Sequence, residues 1–208
     1  MANVIKVLIV EDEPVIARNI SIYLDNNDFS VSGIAYDYEE AVSQLQNNTP
    51  DAAILDISLE NSTEGIEIAA LINEKYKIPF IFLTSYADRA TLGKAKQVEP
   101  GGYIVKPFNE KSLLATLEIA ISNFAGKSNS EVPVLNMQKL NRHLLSPLTD
   151  REFEVLQSIY NGKTNNQIAE LLYISVNTIK AHIKSSYLKL DADSRSTAIK
   201  RLRELMLS

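Results

Sequence analysis

The chain has 208 residues, 45% of them hydrophobic, enough for one large or two smaller packed domains and too many for wholesale disorder. With no cysteine, it excludes disulfides, cysteine-bound zinc and a thiol nucleophile. Its formal charge of -5 is unevenly spread: residues 1–125 carry 9 basic against 18 acidic side chains, a balance of -9, whereas 126–146 and 147–208 each carry +2.

An acidic front and a mildly basic back suggest different partners for the two halves. The first residues run straight into a strand with no signal sequence, and no apolar run is long enough to span a bilayer, so no membrane partner is expected. A cysteine-free chain suits a reducing cytoplasm.

In chain order, the first half alternates strand and helix. Val4–Val10 is a strand, and Pro14 opens a helix to about Asn26. Phe29–Tyr36 is the second strand and Tyr38–Gln46 the second helix; Asp51–Leu55 and Glu64–Tyr76 follow as strand and helix. Pro79–Leu83 is a fourth strand ending at Thr84-Ser85, Asp88–Val98 a helix, Gly102–Val105 a fifth strand and Lys111–Phe124 a last amphipathic helix. Five such units predict a parallel α/β sheet with right-handed crossovers and helices on both faces.

Gly126–Pro133 is rich in Gly, Ser, Asn and Pro and reads as a linker; Val134–Leu145 reads either as a short helix or as more linker. From Pro147 the pattern is all helix. Thr149 with Glu152, and Thr164 with Gln167, have capping-box spacing; their helices end near Asn161-Gly162 and at Leu172. Ser175 caps a third helix from Val176 to about Leu190, with Val176, Ile179, Ile183 and Leu190 as its inward stripe, and a fourth runs from about Arg195 to Leu207. The tight turn 172–175 between two short helices fits a helix-turn-helix. The expected plan is a domain at 1–125, a linker at 126–146 and a second domain at 147–208.

One stretch organises the chemistry. Ala52-Ala53-Ile54-Leu55 runs into Asp56, as a buried parallel strand does when it ends at a site. Val7–Val10 likewise ends in Glu11-Asp12, and Tyr103–Val105 in Lys106-Pro107. Three carboxylates at one sheet edge repel each other unless a cation is present, and a hard divalent ion such as Mg2+ also grips phosphate. Lys106 adds a positive charge for phosphoryl oxygens and Thr84 a hydroxyl donor. The pattern points to phosphoryl chemistry on Asp56.

Residues 4–124 resemble the flavodoxin-like receiver domain of bacterial two-component response regulators. The resemblance is carried by Val10–Pro14, Leu55–Leu59, Leu83-Thr84-Ser85-Tyr86 and Gly102–Phe108. It implies that Asp56 accepts a phosphoryl group from a sensor histidine kinase. It also implies that Asp12 binds Mg2+ directly, Glu11 through water, and the Ser58 carbonyl completes the protein ligands. Lys106 would pair with the acyl phosphate, the Lys106–Pro107 bond would be cis, Thr84 would move to the phosphate and Tyr103 would rotate inward behind it. Glu60–Thr63 reads as an insertion beside the site. A rival reading is a phosphatase with an Asp nucleophile. Such enzymes carry a second Asp two residues on, and here that position is Ser58. A third is a stand-alone protein-interaction switch, which the second half disfavours.

Residues 147–208 resemble the LuxR-type (NarL/FixJ) four-helix DNA-binding domain, through Leu148–Leu156, Asn165–Ala169 and Val176–His182. Carried over by position, Lys180, Ala181 and Lys184 would enter the major groove, while Asn177, Thr178 and Lys189 would hold phosphates. His182 lacks companions for a metal site, the chain having two histidines and no cysteine. Asp191 stands where the family usually has a glycine after the third helix. The combined resemblance implies a transcription regulator that dimerises on phosphorylation, through the receiver face near Thr84 and Tyr103 or through the first and last receiver helices, with the DNA-binding domains pairing through an apolar face of the fourth helix (Ile199, Leu202, Leu205, Met206). Such a dimer would bind a two-fold operator in double-stranded DNA, with RNA polymerase a further possible partner.

Overall fold

A computed structural model describes residues 4–26, 28–59, 62–85, 89–129 and 134–207. Tyr86 and Asp88, Glu60-Asn61 of the expected insertion, and residues 130–133 of the expected linker lie outside them. The chain divides into two compact units, Ile5–Ile121 and Ser122–Ser208, the latter grouped with Met1–Val4.

The first unit contains β1 (Ile5–Val10), α1 (Pro14–Leu24), β2 (Phe29–Ala35), α2 (Tyr38–Asn48), β3 (Ala52–Asp56), α3 (Glu64–Leu71), β4 (Phe80–Thr84), α4 (Arg89–Gln97) and β5 (Tyr103–Val105); α5 (Glu110–Asn129) begins within it. All pairings are parallel, in the order β2-β1-β3-β4-β5. Strand alternation sorts the core into two layers. Ile5, Val7, Ile9, Ile54, Ile81 and Leu83 face α1 and α5, packing with Ala17, Ile20, Leu24, Leu113 and Leu117. Leu8, Val10, Ala53, Leu55 and Phe82 face the other way, onto Ala41, Leu45, Ile68 and Ile72.

Two boundaries depart from the reading of the sequence. The helix expected over Glu64–Tyr76 changes to a single wider π turn at Ile72–Tyr76, closed by a bond from the Lys77 amide to the Ile72 carbonyl. Helix α5 does not stop at Phe124 but runs to Asn129, through the start of the expected linker. A glycine inside a helix costs only about 1 kcal/mol relative to alanine, so Gly126 does not break a helix already propagating.

In the second unit the undecided segment forms a helix, α6 (Met137–His143), followed by α7 (Asp150–Tyr160), α8 (Asn165–Leu172), α9 (Val176–Leu190) and α10 (Arg195–Leu207). Both capping boxes are present, at Thr149/Glu152 and Thr164/Gln167. Asp191 ends α9 in the left-handed conformation (φ 54°), so the helix exits as it would with glycine. Tyr187 and Ser186 are buried on α9 beside Ile179, Ile183 and Leu190, while Val176 is only partly buried. The apolar face expected to pair two fourth helices is internal: Leu202, Leu205 and Met206 are buried in one cluster with Leu135 and Leu140, and Ile199 packs against it. Lys139 of α6 donates to the Met206 carbonyl at 2.7 Å, so α6 covers α10 within its own chain. Outward, α10 presents Lys200, Arg201, Glu204 and Leu207.

Candidate functional site

The strand order reverses between β1 and β3, and the crevice beyond their carboxyl ends is where open α/β sheets bind ligands. The chain puts Glu11 and Asp12 just past β1 and Asp56 at the last position of β3. One carboxylate oxygen from each lies within 4.8 Å of the others. The Lys106 ammonium, just past β5, bridges two of these acids, at 2.7 Å from Glu11 Oε1 and 2.5 Å from Asp56 Oδ2. The Ser58 amide donates to Asp56 Oδ1 at 2.9 Å. The phosphoacceptor candidate is therefore held at both oxygens, by a cation and by the backbone of the next turn.

Electrostatics follow from burial. Glu11 is fully buried, and desolvation raises its pKa to about 7 despite the Lys106 hydrogen bond; the charge of Asp56 adds to the rise. For Lys106, burial works downward, but hydrogen bonds to Asp56 and Glu11 outweigh it and the ammonium is held above its ordinary range. Glu11 Oε2 is buried and finds no hydrogen-bond partner among the described residues. A shielded, unsatisfied carboxylate oxygen beside two further acids is a donor set suited to a hard metal ion.

Thr84 ends β4 and is buried, and its carbonyl accepts from the Lys106 amide at 2.8 Å. The Lys106–Pro107 peptide is cis. Tyr103 already packs inward: its ring lies 5.9 Å from that of Phe82, and its hydroxyl is buried without a hydrogen-bond partner among the described residues. Burial raises its pKa. Ser58 is exposed at the site's edge, and Ser62, within the insertion-like stretch, bridges back to the Leu59 carbonyl at 2.8 Å. The sequence reading missed Gly65. A Cβ there would lie 1.8 Å from the Asp56 carbonyl oxygen, so only glycine lets α3 start against the strand that carries Asp56.

On α9, Asn177, Thr178, Ala181 and Lys184 are exposed and Lys180 is half-buried. Thr178 also serves the cap: its amide donates to Ser175 Oγ, and the two hydroxyls lie 2.8 Å apart. The Lys189 ammonium, expected to hold phosphates, donates here to Glu152 Oε2 at 2.7 Å and to the Pro147 carbonyl at 2.8 Å, so its charge is paired inside the unit.

Among the described residues, no helix is long and apolar enough to cross a membrane. Residues 7–118 match the family model of the response regulator receiver domain, and residues 146–202 that of the luxR family of bacterial regulatory proteins. The chain is 32% identical over 200 residues to the probable transcriptional regulatory protein SgaR of Hyphomicrobium methylovorum, spanning 96% of this chain and 92% of SgaR. It is 29% identical to the response regulator protein VraR of Staphylococcus aureus, spanning 94% of each. Its fold is similar to the signal receiver domain of a modulated diguanylate cyclase from Desulfovibrio desulfuricans G20, at 35% identity and a TM-score of 0.56, over 60% of this chain and 99% of that domain. With a receiver-type sheet and site followed by a luxR-type helical domain, the chain belongs to the two-component response regulators with a LuxR-type DNA-binding domain.

Proposed function

We propose that a sensor histidine kinase phosphorylates Asp56, and that the acyl phosphate controls dimerisation and sequence-specific transcription regulation by the C-terminal domain. The observation that carries this is the Lys106 ammonium shared between Asp56 and Glu11, with Asp12 alongside. In the transfer, an Asp56 carboxylate oxygen attacks phosphorus of the phosphohistidine. The P–N bond breaks, the P–O bond forms and imidazole leaves with the nitrogen electron pair. Glu11, Asp12, Asp56 and the Ser58 carbonyl would hold Mg2+, which supplies charge neutralisation for the incoming phosphoryl oxygens. Lys106 is placed to trade a carboxylate for a phosphoryl oxygen, and Thr84 stands on the neighbouring strand to follow it.

The protein acts as a regulator and not as a turnover enzyme, in the cytoplasm, where kinase and DNA meet. The division of labour runs as receiver 1–125, connecting segment 126–146 and DNA-binding domain 147–208. On DNA, Lys180, Ala181 and Lys184 read base edges and Asn177 and Thr178 hold phosphates. A single small domain of balance +2 binds weakly. Two copies on a two-fold operator gain from high effective concentration, which makes dimerisation the natural control; contact with RNA polymerase would follow there.

The test is intact mass after incubation with acetyl phosphate. One phosphoryl adduct is expected in wild type with Mg2+, and none in Asp56→Ala or in excess chelator. An adduct of equal yield in either control contradicts the assignment.

A further inference from the structure

The four donors gathered on one buried carboxylate are unused by the function described so far. Glu152 lies at the head of α7 and is 4% exposed. Its Oε2 accepts from the Thr149 amide at 2.7 Å and the Thr149 hydroxyl at 3.0 Å, which completes the capping box. The same carboxylate reaches α9 twice: Oε1 accepts from the Ser185 hydroxyl at 2.6 Å and Oε2 from the Lys189 ammonium at 2.7 Å. Ser185 and Lys189 are four residues apart and so sit one above the other on one face of α9. Lys189 also donates to the Pro147 carbonyl, just before α7, at 2.8 Å. Burial pushes the Glu152 carboxyl up, but Lys189, Ser185 and Thr149 more than offset it and hold it at about 2. It therefore stays charged wherever the protein is folded near neutrality.

We propose that Glu152 is a positioning residue for DNA recognition: it clamps α9 to the head of α7 through Ser185 and Lys189, fixing the rotation and tilt at which Lys180, Ala181 and Lys184 are presented. This rests on the reading of α9 as the helix that enters the groove. Two anchors one turn apart fix rotation as well as distance, which one anchor cannot. The apolar contacts of Ile179, Ile183 and Leu190 supply affinity between the helices but little angular precision, whereas charge-assisted bonds are directional. Lys189, although basic and at the end of the recognition helix, acts by holding that helix and not by touching phosphate.

The experiment uses the full chain with Lys189→Met, Lys189→Arg, Glu152→Gln and Ser185→Ala. Glutamine keeps an acceptor for the capping box while removing the charge, and methionine keeps the stem while removing the ammonium. Two DNA probes are used: a mixed-sequence duplex, and the duplex that the wild-type chain enriches from a random pool. For Lys189→Met the clamp predicts an unchanged salt slope on mixed DNA and a roughly tenfold loss of preference for the enriched duplex. It predicts amide hydrogen exchange in residues 183–190 faster by roughly tenfold, with α8 unaffected. Glu152→Gln shares the phenotype, Ser185→Ala shows a weaker version, and Lys189→Arg restores wild-type behaviour. A salt slope reduced by about one with preference retained makes Lys189 a phosphate contact and overturns the proposal. Unchanged exchange in α9 also overturns it. If the wild-type chain enriches no sequence, the DNA reading fails, yet α9 exchange in the same variants still decides whether the clamp exists.

Discussion

Lys106 holds two carboxylates that would otherwise face each other in a buried crevice, and both are positioned by strand ends. Asp56, Glu11 and Lys106 were legible in the sequence because an apolar strand ending in a charge is itself the signal, and the parallel topology brings such ends together. Gly65 was not legible, since nothing local marks a glycine whose hydrogen faces another element's carbonyl. With 1.8 Å between a built Cβ and the Asp56 oxygen, Gly65→Ala must push backbone aside. We expect a stability loss of about 1–3 kcal/mol, as for overpacked sites, and slower adduct formation at Asp56. Denaturant unfolding and the time course of intact mass measure both. A variant with wild-type stability and rate shows that the loop relaxes freely.

Among the elements, capping boxes and apolar periodicity gave the helices of the second unit nearly to the residue, because those signals are local. Two features resisted. Helix α6 spans seven residues, too few turns for periodicity to separate it from a linker. The role of Glu152 was read only as a cap, since its reach to Lys189, 37 residues on, leaves no local trace. Its pKa of about 2, against an ordinary 4.5, makes a pH prediction. The folded pKa is the lower one, so this stabilisation is present above pH 4.5 and is lost as pH falls toward about 2. The gap corresponds to about 3 kcal/mol at most. Acid unfolding followed by circular dichroism should therefore show Glu152→Gln less stable than wild type at pH 7, with the difference closing below pH 3. A difference that persists at pH 2 would mean the carboxylate's charge is not the source.

For the whole molecule, the split between an acidic first half and a mildly basic second half was legible in the sequence, but the packing of the last helix was only partly so. The apolar residues of α10 looked free in sequence, yet Leu135 and Leu140 cover Leu202, Leu205 and Met206. A periodic stripe reports that a face is buried, not which partner buries it. The dimerisation proposed above would therefore use other surfaces, or follow displacement of α6. In the function proposed above, phosphorylation of Asp56 directs the protein to specific DNA. Genome-wide mapping of bound DNA, comparing wild type with Asp56→Asn at equal abundance under conditions that phosphorylate the wild type, tests it most directly. A limited set of two-fold sites, occupied by wild type and largely lost in the variant, is expected. Identical maps would contradict it.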